Sequence, residues 1–572
     1  MPAVRTARVP RLRGKGWDDP SIAATTTSDA GERRSPPGIA AIRARWATRI
    51  ATAGMVAGAG VRAEEFGSRR SLWVDEALVT RNVVTRDFAG LLRPLSGEQG
   101  APIGWLWAQR GAVIALGNNE YALRVVPLLT GLVALGVVYL VGRRAIGPLP
   151  AAVATWLLAL SPAAVRYSVE VKQYSSDLAV CLVATLLALR VAQDRKGLAA
   201  WSAFGAVAVW CAHPAVLVLG GSAVVLFVDG LRRRDRGVTG RVVAASAVWI
   251  ASFGAVWIVS LRRLGHDAFL RSYWAAGLAP KPLAAPTWTR WLGRALLHLV
   301  ADPGDMPLGI VAAACIVAGI AVATIRRPVG GALLVVPLAG GIAAATIGGF
   351  PLRGRLALWL LPLAFFALAA LATALLPVPS GRKGVMAGAV VVLVGVLVTP
   401  PAVTVVTLTR DPTIWSDVRP LLSAVRRQAH PGDQVWVHEP DAPSADYYAI
   451  ALGIVADHVL RTSAPPAPCP GEPDLTAVAA RRRVWFIYGY RLSTAVRNER
   501  AGIVAALTAR ARLVEQINRP QATAWLYDFD QPPAPPPAVR DHPGVPCLAL
   551  TPALPPVPTG LSRGPFGSGG PT

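Results

Sequence analysis

The run RVVPLLTGLVALGVVYLVGRR, residues 124–144, decides the fold. It carries no charge from Val125 to Gly142 and closes on the pair Arg143-Arg144. An α-helix rises about 1.5 Å per residue, so a run of this length matches the roughly 30 Å hydrocarbon core of a bilayer. An arginine pair directly behind such a run marks the end kept on the cytoplasmic side.

The same unit repeats outward from it. Apolar segments occupy residues 46–63, 124–142, 148–165, 175–193, 198–212, 213–230, 242–261, 306–325, 329–348, 356–377 and 385–408, about eleven expected transmembrane helices. Charged residues make up only 16% of the 572, against about 25% in a soluble domain. The chain is therefore expected to be a polytopic α-helical membrane protein. Residues 103–117 are short and rich in Trp, which fits an amphipathic helix lying in the membrane interface.

A formal charge of +25 would suit a nucleic-acid partner, but its distribution argues against one. The basic residues fall in short clusters between apolar runs: Arg143-Arg144, Arg195-Lys196, Arg232 to Arg236, Arg326-Arg327 and Arg382-Lys383. That pattern fixes membrane orientation. Placing every cluster inside gives a cytoplasmic N-terminus and puts residues 64–123, 166–174, 262–305, 349–355 and everything after about 408 outside. Residues 1–45 are basic, without an apolar core or cleavage site, and are expected to form a disordered cytoplasmic arm.

After the last apolar run the composition changes. SDVRPLLSAVRRQA, residues 416–429, has helical spacing, while DQVWVHE (433–439), RRRVWFIYGY (481–490) and ATAWLYDF (522–529) have the character of strands. Residues 409–530 are thus expected to form a small extracytoplasmic α/β domain behind the transmembrane domain of 46–408. Residues 531–572 open with QPPAPPPAVR and make a Pro-rich tail.

Cys181, Cys211 and Cys315 lie inside apolar runs and suit packing. Cys469 and Cys547 fall on the oxidising side, where they either pair and tie the tail to the outer domain or remain thiols. No spacing suggests a metal site, and no Walker loop or dinucleotide fingerprint is present.

Chemistry concentrates in three outer loops. SLWVDEA (71–77) carries Asp75 and Glu76; RYSVEVKQYSSD (166–177) carries Arg166, Tyr167, Glu170, Lys172 and Tyr174; FPLRGRLALWLLP (350–362) carries Arg353 and Arg355. Ionisable groups at a membrane edge are paired or functional, or else anchor the loop in the interface. Taken together, the loops offer a carboxylate able to accept a proton from a hydroxyl and cations able to hold a phosphate. Other motifs are weaker. Asp528 and Asp530 have the spacing of a nucleotide-sugar metal site but end an outer strand; His213-Pro214 marks a helix break; Tyr447-Tyr448 suits core packing better than a sugar site.

These strings, with GAPIGWLW (100–107) and NNEYALRVVPLLTGL (118–132) between them, resemble the GT-C glycosyltransferases of the protein O-mannosyltransferase and aminoarabinose-transferase superfamily, similar to glycosyltransferase family 39, in their bacterial form. The resemblance covers roughly residues 45–410. It implies a GT-C-like membrane fold and transfer of a sugar, mannose among the candidates, from a polyprenyl-phosphate carrier to a protein, glycan or lipid acceptor outside the cytoplasm, with no cofactor. Asp75 matches the catalytic base and Glu76 its neighbour. Lys172 and Arg355 match cations facing the lipid phosphate, with Arg353 a third. Glu170, Tyr174 and Pro102 fall at substrate-binding positions. The family's His-Pro-Pro-Leu string is here GAPIG, keeping only Pro102, and Lys172 stands where Arg is common. A transporter or flippase for a lipid-linked sugar would use the same cations without a base, and a scaffold for envelope assembly would need neither.

Overall fold

A computed structural model describes residues 39–375, 382–410, 414, 416–438, 441–452, 458–463, 483–489, 494–531 and 547–552. Most of the N-terminal arm, nearly all of the Pro-rich tail and Cys469 lie outside the described residues, and with Cys469 the question of its pairing. The described residues from Ala44 onward form one compact unit.

Every expected apolar segment falls on a helix. The first ten helices are α1 (Ile39–Gly67), α2 (Val74–Thr85), α3 (Ile103–Leu116), α4 (Glu120–Ala145), α5 (Pro148–Ala159), α6 (Pro162–Tyr167), α7 (Tyr174–Asp194), α8 (Leu198–Cys211), α9 (Ala215–Arg232) and α10 (Arg236–Val256). The apolar helices Gly309–Arg326, Pro328–Ile347, Leu361–Leu375 and Arg382–Arg410 follow. Among the described residues, seven helical stretches are long and apolar enough to cross a membrane. Three further apolar helices, Pro148–Ala159, Leu198–Cys211 and Val391–Thr407, are shorter, and α1 is not among the seven. The chain is a multi-pass helical membrane protein with a small C-terminal sheet.

The segment 148–165 departs from a single span, because the chain turns at Leu160 and restarts on Ser161. The Ser161 hydroxyl accepts the Ala164 N–H at 3.3 Å and Pro162 occupies the first helical position, where its missing N–H costs nothing. The region 262–305 contains the amphipathic helix Ala285–Ala301. Helix α3 is more than an interfacial strip: Trp105, Leu106 and Gln109 are buried, while Ile114 and Leu116 are exposed.

The long helices α4 and α7 define two ends. At one end the basic turns gather. Arg144 pairs with Asp194 at 2.9 Å, Arg327 donates to the Arg144 carbonyl at 3.2 Å, and Arg195 pairs with Asp229 at 3.2 Å. The other ends of α4 and α7 meet the loops that carry the candidate site. Gly131 permits this approach, since a Cβ there would stand 2.5 Å from the Ser168 Cβ. Small residues let membrane helices and loops come this close.

The C-terminal region forms a six-stranded sheet of β1 (Gln434–His438), β2 (His458–Ser463), β3 (Arg483–Tyr488), β4 (Arg512–Arg519), β5 (Ala522–Asp528) and β6 (Cys547–Pro552), in the order β4-β5-β3-β1-β2-β6. Strand β1 pairs in parallel with β2 and β3, while the outer pairings are antiparallel. The helix Val418–Gln428 lays Leu421, Leu422 and Val425 into the core beneath this sheet. Its residues share that core with Leu72, Ala77 and Val83 around α2.

Candidate functional site

Helix α2 begins at the quoted acidic pair. Trp73 is its N-cap, so Asp75 and Glu76 fall in the first helical turn, where the helix dipole favours negative charge. Glu76 accepts the Trp73 N–H at 3.4 Å, closing the first turn as the third residue of a capping box does. Adjacent residues on a helix project about 100° apart, so the two carboxylates face different partners.

Asp75 faces the cations. Its Oδ1 accepts Lys172 Nζ at 2.9 Å and its Oδ2 stands 2.7 Å from Arg355 Nη1. Lys172 Nζ also donates to Gln99 Oε1 at 2.7 Å. The Asp75 and Arg355 side chains keep 15% and 16% of their surface exposed, whereas Lys172 keeps 5%. What exposure the group has lies on Asp75 and Arg355, though Asp75 Oδ2 and Arg355 Nε are themselves buried. Burial pushes the Asp75 carboxyl up, but Lys172 and Arg355 outweigh it and hold it below the usual carboxylate range. Burial also pulls the Lys172 ammonium below the usual lysine range, despite Asp75 beside it.

Glu76 turns the other way. Both its oxygens receive the Arg124 guanidinium, the shortest contact being 2.9 Å, and Oε1 also accepts the Val171 N–H at 2.8 Å. Both side chains are only 3% exposed. Arg124 donates in addition to the Arg70 carbonyl at 2.7 Å. This buried pair ties α2, α4 and the loop before α7 together, and Val171 is the residue next to Lys172. Asp75 and Lys172 are therefore held by one anchor.

The remaining expected residues surround this centre. The Arg355 guanidinium lies over the Tyr174 ring at 5.7 Å and the Trp274 ring at 5.5 Å, within reach of cation–π attraction. Glu170 pairs with Arg166 at 3.0 Å through Oε2, and its Oε1 is buried without a hydrogen-bond partner among the described residues. Burial is the main reason the Glu170 carboxyl is raised. Pro102 caps α3, and the neighbouring Gly100 carbonyl accepts Gln173 Nε2 at 3.4 Å. Arg353 joins no ion pair among the described residues; its Cβ packs close to Gly277.

Gln99, Arg124 and Trp274 were not singled out by sequence reasoning. Arg124 carried a signal, as a lone charge at the mouth of an apolar run. Gln99 and Trp274 sit in loops whose path alone brings them to the site. Among the described residues no His, Cys, Asp and Glu group is arranged to hold a metal ion. An apolar cavity of about 80 Å³, lined by Trp156, Leu160, Ser161, Met306, Phe365 and Leu397 among others, includes none of the charged site residues.

Residues 100–257 match the family model described as dolichyl-phosphate-mannose-protein mannosyltransferase. The match bears out the family resemblance over residues 100–257, which hold GAPIGWLW, NNEYALRVVPLLTGL and RYSVEVKQYSSD; SLWVDEA and FPLRGRLALWLLP lie outside it. The chain is also similar to a crystal structure of ArnT from Cupriavidus metallidurans bound to undecaprenyl phosphate. The two are 14% identical, the alignment covers 84% of this chain and 98% of that one, and the TM-score is 0.48. A second similarity is to the archaeal oligosaccharyltransferase AglB from Archaeoglobus fulgidus, in complex with an inhibitory peptide and a dolichol-phosphate. Here the identity is 12%, the coverage 85% and 74%, and the TM-score 0.42. No curated protein matches the sequence.

Proposed function

We propose that the chain is an integral membrane glycosyltransferase that moves a sugar from a polyprenyl-phosphate donor to an acceptor hydroxyl outside the cytoplasm, with inversion. The observation that carries this reading is a single carboxylate, Asp75, bridging two cations, Lys172 and Arg355. In this reading the sheet-bearing C-terminal region is extracytoplasmic and the N-terminus cytoplasmic, in line with the basic turns collected at the opposite ends of α4 and α7.

The chemistry follows from the charges. The donor phosphate brings negative charge that Lys172 and Arg355 are suited to hold, with Arg353 two residues away. As these cations turn toward phosphate, they release Asp75, and its carboxylate becomes a stronger base. The acceptor oxygen then attacks the anomeric carbon from the face opposite the phosphate. Its proton passes to Asp75, the bond from the anomeric carbon to the phosphate oxygen breaks, and the electron pair stays on the phosphate. The two cations stabilise that growing charge. Tyr174 and Trp274 flank the Arg355 guanidinium with their rings, and Glu76 supports the arrangement through Arg124.

The test is incubation of purified protein with polyprenyl-phosphate mannose, and with other polyprenyl-phosphate sugars, together with a membrane extract as the source of acceptor hydroxyls, followed by measurement of released polyprenyl phosphate. Release by the wild type is expected. Asp75→Asn is expected to lower it by about 10²–10⁴-fold, the usual contribution of a general base, while donor binding persists. Full activity of Asp75→Asn would remove Asp75 from the base role.

A further inference from the structure

We propose that the C-terminal α/β region sets the position of the Asp75 carboxylate, with Tyr448 and Arg419 as its positioning residues. The proposal rests on the reading of Asp75 as the base. Asp75 lies three residues beyond Leu72, and in the short connection from Arg69 to Leu72 that region grips the Arg69 carbonyl, Ser71 and the Leu72 N–H, while Arg70 is held by Arg124 and Glu65.

Tyr448, on the helix Ala442–Leu452, is 2% exposed. Its hydroxyl accepts the Leu72 N–H at 2.8 Å and donates to Glu120 Oε1 at 3.2 Å. Arg419, on the helix Val418–Gln428, donates to the same Glu120 oxygen at 2.5 Å and to the Arg69 carbonyl at 2.9 Å. Ser71 donates to Asp417 at 3.2 Å and accepts the Arg419 N–H at 3.3 Å. Glu120 is only 3% exposed and opens α4, the helix that also supplies Arg124. One carboxylate thus joins the C-terminal region to the helix that anchors Glu76.

The apolar contacts run the same way. Leu72 and Val83 share a core with Leu421, Leu422 and Trp485. Helix α2 has twelve residues, near the length at which an isolated helix is marginal. Its geometry must come from what it packs on, and one of those supports is the C-terminal region. A shift of about 1 Å in a reacting group can cost roughly 10²-fold in rate, so even a small slackening of residues 69–72 reaches the chemistry.

Tyr448→Phe keeps the ring in the core and removes only its hydroxyl. Tyr447→Phe is the control: it removes a hydroxyl from the same helix, but that group donates to Asn118 at 3.1 Å and not to the connection. Both are made in the full-length protein, beside Asp75→Asn. For Tyr448→Phe we expect kcat to fall by about 10–100-fold with donor KM nearly unchanged. The acid limb of the kcat profile should move up, and amide hydrogen exchange should speed up across residues 69–77. Tyr447→Phe should match wild type in all of these. Arg419→Leu should reproduce the Tyr448→Phe pattern, and Arg419→Lys should restore part of it. Unchanged exchange across 69–77 in Tyr448→Phe would overturn the proposal, and so would equal kcat losses in the two tyrosine variants. If Asp75→Asn is fully active while Tyr448→Phe still loosens 69–77, the positioning stands and the base assignment fails.

Discussion

Replacing Glu76 by alanine would leave the Arg124 guanidinium, 3% exposed, without its carboxylate in the interior. Deleting one partner of a buried ion pair typically destabilises by about 3–5 kcal/mol. The Val171 N–H, which Glu76 accepts at 2.8 Å, would lose its partner as well, adding about 1–3 kcal/mol. The expected result is a fall of several degrees in the midpoint of thermal inactivation in detergent, together with loss of turnover. The informative variant is the double substitution Glu76→Leu with Arg124→Met. It removes both charges and returns apolar volume, an exchange that in buried pairs is often neutral or stabilising. The midpoint should therefore recover the part of the loss that comes from the unpaired guanidinium, while the Val171 N–H and the Arg70 carbonyl stay without these partners, and turnover should rise above that of Glu76→Ala. Two outcomes would refute this reasoning. If Glu76→Ala leaves the midpoint unchanged, the pair is not an anchor. If the double variant is as stable as wild type but as inactive as Asp75→Asn, Glu76 touches substrate and its role is chemical.

Lys172→Ala and Arg355→Ala are each expected to weaken donor binding, measured by titration with polyprenyl phosphate, and to slow the chemical step in single turnover; unchanged binding in both would separate these cations from the phosphate. The Asp75 carboxyl is held below its usual range by Lys172 and Arg355 against the effect of burial. It therefore stays ionised through neutral pH, and the stability contributed by its ion pairs is full above the unfolded carboxylate pKa and lost as pH falls through the lower folded value. Lys172 is pulled below the usual lysine range, so donor affinity should decline on the alkaline side at a pH lower than an exposed lysine would give, and Lys172→Arg should move that limb upward. For topology, single cysteines at Lys383 and His430 in a cysteine-free background are expected to differ, with an impermeant thiol reagent labelling intact cells at 430 and not at 383; the reverse would invert the orientation.

Much of this architecture was legible in the order of residues, because crossing a bilayer leaves the sequence few choices. A helix in hydrocarbon must satisfy its own backbone and expose apolar side chains, so runs such as 124–142 declare themselves; the expected segments fall on helices, but among the described residues seven are long and apolar enough to cross and 148–165 is broken into two. The alternation of basic turns with charged loops carried the threading, and the proximity of Asp75 to Lys172 and Arg355 was expected from it. What the sequence left open is what depends on three-dimensional neighbours. Asp75 and Glu76 are adjacent and chemically alike, yet one bridges buried Lys172 and partly exposed Arg355 and the other is buried against Arg124. Their different roles follow from which partner each meets across α2, and spacing does not encode that. The strands β2, β4 and β6 were missed because their side-chain patterns are weak outside the sheet; β4 runs almost wholly exposed. The clamp of Tyr448, Arg419 and Glu120 on residues 69–72 joins positions more than three hundred residues apart. Contacts of that separation are fixed by how the sheet region packs on the helices, and only the folded chain decides them.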